Sequence, residues 1–388
     1  MKPLKVLVIS GDFPPALSGV GDYSNRLCAH LAADGAAVTL LTTASESLPE
    51  DAGRPYRVLR QMKSWDMSQR AEMVSIARDF DIVSLQYPSA LYGRGLGINM
   101  LPLSLMRLGV PCVVTIHDFR VMRKRWRART IPMLSFARAL IHVDQLDGEH
   151  LRRWSFRHAP MRHIPIASNA PVVDCDASKR AAWREHLGIQ PDELLVAYFG
   201  ILYPHKGVPE MLDAVATLRR EGHRIRALCV GDFDREADYV APMTARLQAD
   251  HVTWVRGASL ERVSECLHAA DMAALPFYSG AGFNRSSLLS CLQHGLPTVT
   301  TDGPNTPANL KDVFELLLVP PQNSPAVTEA LRKLATDASL RSRLRESAIA
   351  ATANLSWPAV SRRHMEYFSQ LAARPAQREV VHENPQRA

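Results

Sequence analysis

Short apolar runs alternate with amphipathic stretches along most of the chain, and that alternation is the first thing to interpret. Residues 4 to 10 predict a strand, residues 23 to 33 a helix stopped at Gly35, and residues 38 to 43 a second strand. Strands are also expected at 82 to 86 and 113 to 117, with helical stretches near 68 to 79 and 97 to 108 between them. After a break rich in Pro, Asp and small residues, from Ile164 to Ser178, the alternation resumes. It predicts strands at 194 to 199, 227 to 231, 252 to 255 and 272 to 276, and helices at 209 to 221, 239 to 250 and 259 to 269. β-Branched runs interleaved with helices indicate parallel sheets covered on both faces. The chain therefore reads as an α/β protein: two Rossmann-like doubly wound parallel-sheet domains in tandem, facing a cleft, with a linker near 165 to 180.

Composition narrows the class. A chain of 388 residues with 46% hydrophobic content supplies two ordinary cores. No run is long enough to span a bilayer, and the apolar opening is broken too soon by Gly11 to be expected as a secretory signal. Six cysteines without a CxxC pair fit reduced thiols and a cytoplasmic location. Residues 1 to 170 hold 22 Lys+Arg against 14 Asp+Glu, whereas residues 171 to 388 hold 24 against 25, so the basic excess lies in the first half. No recognition-helix, zinc-finger or aromatic RNA-binding pattern accompanies it, so nucleic acid is not expected as a partner.

Four stretches carry candidate chemistry. In the first, Tyr278 to Pro297, a loop with Gly280 and Gly282 runs through Asn284 and Arg285 into an apolar helix closed by Gly295. Such a helix start offers backbone N–H groups and a positive dipole end to a phosphate, with Arg285, Ser286 and Ser287 around it. The same letters also suit an ordinary crossover with a surface Arg. The second, Gly19-Val-Gly21, follows the first strand in the position that cradles phosphates, or marks a tight turn. A dehydrogenase would need an acidic ribose partner after the second strand, where Thr42 and Thr43 stand. In the third, His117 and Asp118 fall at a strand's carboxyl end, where an imidazole can bind a sugar hydroxyl or polarise a reacting group, or serve structure. In the fourth, Gly200 to Gly207, Lys206 sits before a helix and suits a diphosphate or a solvated surface. Gly231-Asp-Phe-Asp234 resembles a DxD metal pattern in letters only, and no metal is expected there.

Taken together, in order and spacing over nearly the whole chain, these segments resemble the retaining GT-B nucleotide-sugar glycosyltransferases of glycosyltransferase family 4. Pro14 to Tyr23 is similar to that family's PP…GGxG segment, Thr115-Ile-His-Asp118 to its His-Asp strand end, and Gly200 to Gly207 to GRLxxxKG. Ala270 to Pro276 followed by Gly295 to Val299 is similar to ADxxxxPS…GxPVV. The resemblance implies diphosphate binding by Lys206 and by backbone groups at Gly19 and Gly21, and a sugar contact by His117. Two features depart from the family. The E-x7-E pair falls on Gly282 and Ser290, and the Arg of GRL on Ile201. Arg285 could supply the lost cation, and Ser290 only a weaker ribose contact.

The acceptor side carries Phe119 to Arg129, six of whose eleven residues are Arg or Lys, around Phe119, Met122 and Trp126. An apolar helix entered through Pro132 is expected next, with Leu134, Ala137 and Ile141 at helical spacing. This mixture suits an anionic membrane surface reached through 119 to 129, or a solvated basic face. Near the end, Leu355 to Phe368 resembles the family's last segment, a helix returning to the first domain on Trp357, Met365 and Phe368.

The expected organisation is residues 1–168 as the acceptor-side domain, 169–356 as the donor domain, 357–376 as the returning helix and 377–388 as a polar tail. The expected activity is transfer of a hexosyl group, with retention, from a UDP- or GDP-sugar to a glycan or lipid-linked acceptor in polysaccharide biosynthesis, without cofactor or essential metal. The missing carboxylates keep open a non-catalytic sugar-nucleotide-binding subunit. A two-domain epimerase would need carboxylates for proton transfer that this sequence does not supply.

Overall fold

The computed structural model describes residues 2–46, 48–88, 91–155, 159–233 and 237–373. Asp234 and the expected polar tail lie outside the described residues. The chain forms two compact units: one runs to Ile164 and takes up the chain again from Ser361, and the other comprises Pro165–Val360.

The first unit is built on β1 (Lys5–Ser10), β2 (Ala37–Thr43), β3 (Arg57–Met62), β4 (Ile82–Tyr87), β5 (Cys112–Ile116), β6 (Ala139–His142) and β7 (Met161–His163). They pair in parallel in the order β3-β2-β1-β4-β5-β6-β7. Every residue of β4 and β5 is buried, as expected for strands covered on both faces. The order reverses between β1 and β4, so the loops after these two strands diverge at the sheet's carboxyl edge and leave a crevice there.

The second unit repeats the plan with β8 (Leu194–Phe199), β9 (Ile225–Val230), β10 (Val252–Val255), β11 (Met272–Leu275), β12 (Thr298–Thr301) and β13 (Leu317–Val319). The order is β10-β9-β8-β11-β12-β13, again parallel, with the reversal between β8 and β11.

Three expectations are corrected. The first helix is Gly19–Ala33 and starts four residues before Tyr23, because the Ser18 hydroxyl caps it by accepting from the Gly21 amide. The helix expected through Ile141 is Lys124–Phe136, with Pro132 inside it. Ala137 turns extended, and Ile141 belongs to the buried strand β6. A short apolar run such as Ala139-Leu-Ile-His142 fits either period, and here the sheet takes it. Finally, Pro165 to Ser168 belong with the second unit. There the Ser168 hydroxyl pairs with that of Ser290 at 2.7 Å, and the Asn169 amide donates to the Ser286 hydroxyl at 3.1 Å.

The last described helix, Trp357–Ala373, begins in the second unit, where the Trp357 indole N–H donates to the Ser168 carbonyl at 2.6 Å. From Ser361 it packs within the first unit, where the Tyr367 hydroxyl reaches the Pro160 carbonyl at 3.3 Å and Phe368 is fully buried. Met365 is only part-buried.

Candidate functional site

The second unit brings two of the expected residues to one place. Lys206 ends a short 3-10 turn, Pro204–Lys206, in the loop after β8, and Phe277 lies just past β11. Between them is Gly207, at φ 74°. A Cβ there would come within 2.0 Å of the Pro276 carbonyl oxygen, so the two loops can touch only because that position has no side chain. The contact is locked by the Tyr278 amide, which donates to the His205 carbonyl at 3.0 Å.

Lys206 Nζ consequently lies 5.3 Å from the centroid of the Phe277 ring, and the Arg285 guanidinium lies 4.9 Å from the same centroid. Arg285 also donates to the Ser279 hydroxyl within its own loop. Burial, aided by the Arg285 charge, lowers the Lys206 pKa to about 7. Lys206 makes no ion pair among the described residues. Two cations held together in a half-buried place form a positive hole that an anion would neutralise.

Two helices begin at this place, Val208–Arg220 after Lys206 and Ser286–Gln293 after Arg285, and neither has its first turn capped by a side chain. Their amide ends add positive dipole to the two side-chain charges. Ser287 faces the neighbouring loop: a Cβ built on Gly200 would lie 3.6 Å from the Ser287 Cβ. Ser286 is engaged as the acceptor of the Asn169 amide.

Ser290 is placed differently from expectation. It is fully buried, and its hydroxyl donates to the Ser286 carbonyl at 2.8 Å and pairs with Ser168. The His294 ring below it donates to or accepts from the Ser264 hydroxyl at 2.7 Å, continuing a polar seam that ties the start of the unit to the helix. Ser290 therefore serves packing and offers a ribose no open hydroxyl. Asp232 of the DxD-like stretch is also engaged, by the Arg256 Nε at 3.1 Å and the Gly257 amide at 2.7 Å.

In the first unit, His117 stands at the end of β5 beside the reversal of strand order. It is 9% exposed, and its Nε2 lies 3.1 Å from Oε1 of Gln86 on β4. The Tyr23 ring meets it edge-on at 5.0 Å, and the Tyr23 hydroxyl lies 3.4 Å from His364 Nε2. Burial, aided by the His364 ring, lowers the His117 pKa to about 3, so His117 is a neutral hydrogen-bonding group and not a proton donor of ordinary strength. Asp118 is half-buried next to it. Gly19 is exposed with nothing near its missing Cβ, whereas the Gly21 amide is used by the Ser18 cap. The backbone donor expected at Gly21 is thus committed to the helix, which leaves Gly19 as the open backbone of that turn.

In the basic stretch the large apolar residues turn inward. Phe119 and Met122 are buried in the core and Trp126 packs against it. Arg127 covers Phe119 and Arg129 covers Trp126, at 5.6 and 4.6 Å from the ring centroids. Arg123, Lys124, Arg125 and Ala128 are exposed. No described helix is long and apolar enough to cross a membrane.

Sequence reasoning did not pick out Phe277, Gln86 or His364 as site residues. A signal existed for Gln86. Ser84 and Gln86 on β4, like Thr115 and His117 beside them, place polar groups two residues apart on one face of otherwise apolar strands.

The two units have matching relatives. Residues 17–167 match the family described as Glycosyltransferase Family 4, and residues 179–351 match Glycosyl transferases group 1. The chain belongs to these GT-B glycosyltransferases. It is 26% identical to Alpha-D-kanosaminyltransferase of Streptomyces kanamyceticus over 256 residues, 62% of this chain and 65% of that protein. Over 197 residues, 49% of this chain and 43% of that protein, it is 28% identical to D-inositol 3-phosphate glycosyltransferase of Nocardia farcinica. The matched part thus spans less than two thirds of either relative's length. Phosphatidyl-myo-inositol mannosyltransferase of Mycobacterium leprae is 24% identical over 383 residues, covering 91% of this chain and 93% of that protein. Among solved structures, Anabaena HepE in complex with UDP-glucose aligns with a TM-score of 0.75 at 16% identity, over 95% of this chain and 100% of that one. Sucrose-phosphate synthase of Thermosynechococcus elongatus aligns at 0.74 and 18%, over 95% and 99%. At these identities the likeness to solved structures is one of fold.

Proposed function

We propose that the protein is a glycosyltransferase that moves a sugar from a nucleoside diphosphate sugar, a UDP- or GDP-sugar, to a hydroxyl of a glycan or lipid-linked saccharide, with anomeric retention and without an essential metal. The observation that carries this reading is the pairing of Lys206 and Arg285 around Phe277, between two helix starts at the strand-order reversal of the second unit. In the reaction, the bond from the anomeric carbon to the β-phosphate oxygen breaks and a bond from that carbon to the acceptor oxygen forms. The acceptor's proton passes to the departing diphosphate. Charge grows on the leaving group as the first bond lengthens, and fixed cations lower that barrier most. Neutral His117 is assigned a hydrogen bond to a substrate hydroxyl, with Asp118 beside it. A role in polysaccharide biosynthesis, at the inner face of the membrane, fits the exposed charge on Arg123, Lys124 and Arg125.

The purified chain, incubated with UDP- and GDP-sugars and saccharide acceptors, is expected to release nucleoside diphosphate and give a product whose anomeric configuration by NMR matches the donor's. Inversion would refute the retaining mechanism. A second reading, a non-catalytic sugar-nucleotide-binding subunit, is favoured by Gly282 and the enclosed Ser290 standing where the resemblance calls for carboxylates. Saturable donor binding with no turnover on any acceptor would select it.

A further inference from the structure

Gathering two like charges is unfavourable, and something in the protein must hold them there before an anion arrives. The group that both Lys206 and Arg285 approach is the side chain of Phe277, a 1% exposed ring within cation–π range of each. We propose that Phe277 is a positioning residue whose π face preorganises Lys206 and Arg285 for a shared diphosphate.

Two features support this. The ring cannot drift, because its neighbours on both sides are fixed: the Pro276 carbonyl abuts Gly207, and the Tyr278 amide is bonded to His205. The cations come from separate loops, after β8 and after β11, which the Tyr278–His205 bond ties together, and the ring is the side chain that both cations contact. A carboxylate in place of the ring would bind the same two cations more strongly, but it would have to be displaced by the ligand's phosphates. The electron-rich ring attracts cations while leaving their N–H groups able to reach an anion on the other side.

The inference rests on the diphosphate reading above, and its test has one readout that needs no ligand. Phe277→Leu keeps an apolar side chain but removes the π face. It is expected to weaken UDP or GDP binding about tenfold by calorimetry. It is also expected to move the Lys206 titration, followed by NMR of the labelled lysine side chain, to lower pH, because the charged form loses its partner. Phe277→Trp is expected to restore both. Should the Leu variant not fold, ring-fluorinated phenylalanine introduced at position 277 keeps the shape while depleting the π face, and the same shifts are expected. A Lys206 titration that stays put, or rises toward that of an ordinary lysine, would overturn the proposal by showing that the ring merely packs. If the wild-type chain bound no nucleoside diphosphate, the functional reading would fail, and the Lys206 titration would still decide the role of Phe277.

Discussion

Lys206 and Arg285 converge on one aromatic ring, 5.3 and 4.9 Å from its centroid, although they come from loops after different strands. Burial and the Arg285 charge together bring the Lys206 pKa down to about 7. An anion binding there meets one fixed charge and one that is half present at neutral pH.

That depressed pKa gives opposite pH trends for folding and binding. Between pH 7 and 10.5 the folded protein holds fewer protons on Lys206 than the unfolded chain, so this group makes folding stability rise with pH through that window. Binding runs the other way, since the ligand recruits the charged amine. Donor affinity is expected to fall above about pH 7 with uptake of up to one proton, measured by calorimetry in buffers of different ionisation enthalpy. Lys206→Met should abolish both trends. Proton uptake that persists in that variant would assign the titration elsewhere.

Gln86 is expected to select the tautomer of His117. With Gln86 Oε1 accepting from Nε2–H at 3.1 Å, and the Gln86 amide donating to Ser84 at 3.0 Å, His117 Nδ1 is an acceptor for a substrate hydroxyl. Nitrogen-15 shifts of His117 should report the Nε2–H form, Gln86→Leu should mix the tautomers, and turnover should drop about tenfold with little change in KM. Because the His117 pKa is near 3, no limb of the rate profile between pH 5 and 8 should belong to it. An Nδ1–H signal in the wild type would reverse the assignment.

Ribose selectivity is expected to be weak. The hydroxyl of Ser290 is bound by Ser168 and Ser286 inside the unit, so no side chain at that position is left to read a ribose hydroxyl. Uridine diphosphate and its 2′-deoxy counterpart should bind within about twofold of each other, because an unmade hydrogen bond discriminates little. A preference of tenfold or more for the ribose form would show that another group reads it.

Attachment to a membrane through residues 119 to 129 is expected to be electrostatic. With Phe119 and Met122 buried and Trp126 packed on the core, the exposed Arg123, Lys124 and Arg125 would contribute about 1 kcal/mol each on an anionic surface. Sedimentation with anionic vesicles should be lost as salt rises and after charge reversal at those three positions. Binding that survives high salt would require an apolar contact that these buried rings do not provide.

Much of this architecture was legible because buried parallel strands are written as short, nearly continuous apolar runs, as in Lys5 to Ser10 and Leu194 to Phe199, with a glycine directly after each. What sequence could not resolve was which side of a helix or strand a residue occupies. Phe119, Met122 and Trp126 are the same letters whether they face a bilayer or a core, and only their packing in the first unit turns them inward. Ser290 looked available because its partner Ser168 is 122 positions away in the chain. Phe277 was missed because one apolar residue after a strand predicts only burial; its chemistry arises from two cations that tertiary contacts deliver to it.

The sharing of one ligand by Lys206 and Arg285 is tested most directly by a double-mutant cycle, reading the calorimetric Kd of a nucleoside diphosphate for Lys206→Ala, Arg285→Ala and the double variant. The account predicts that each single change weakens binding, that the double variant binds no diphosphate measurably, and that the two effects are not additive. Unchanged affinity in the double variant, or strictly additive losses, would contradict it.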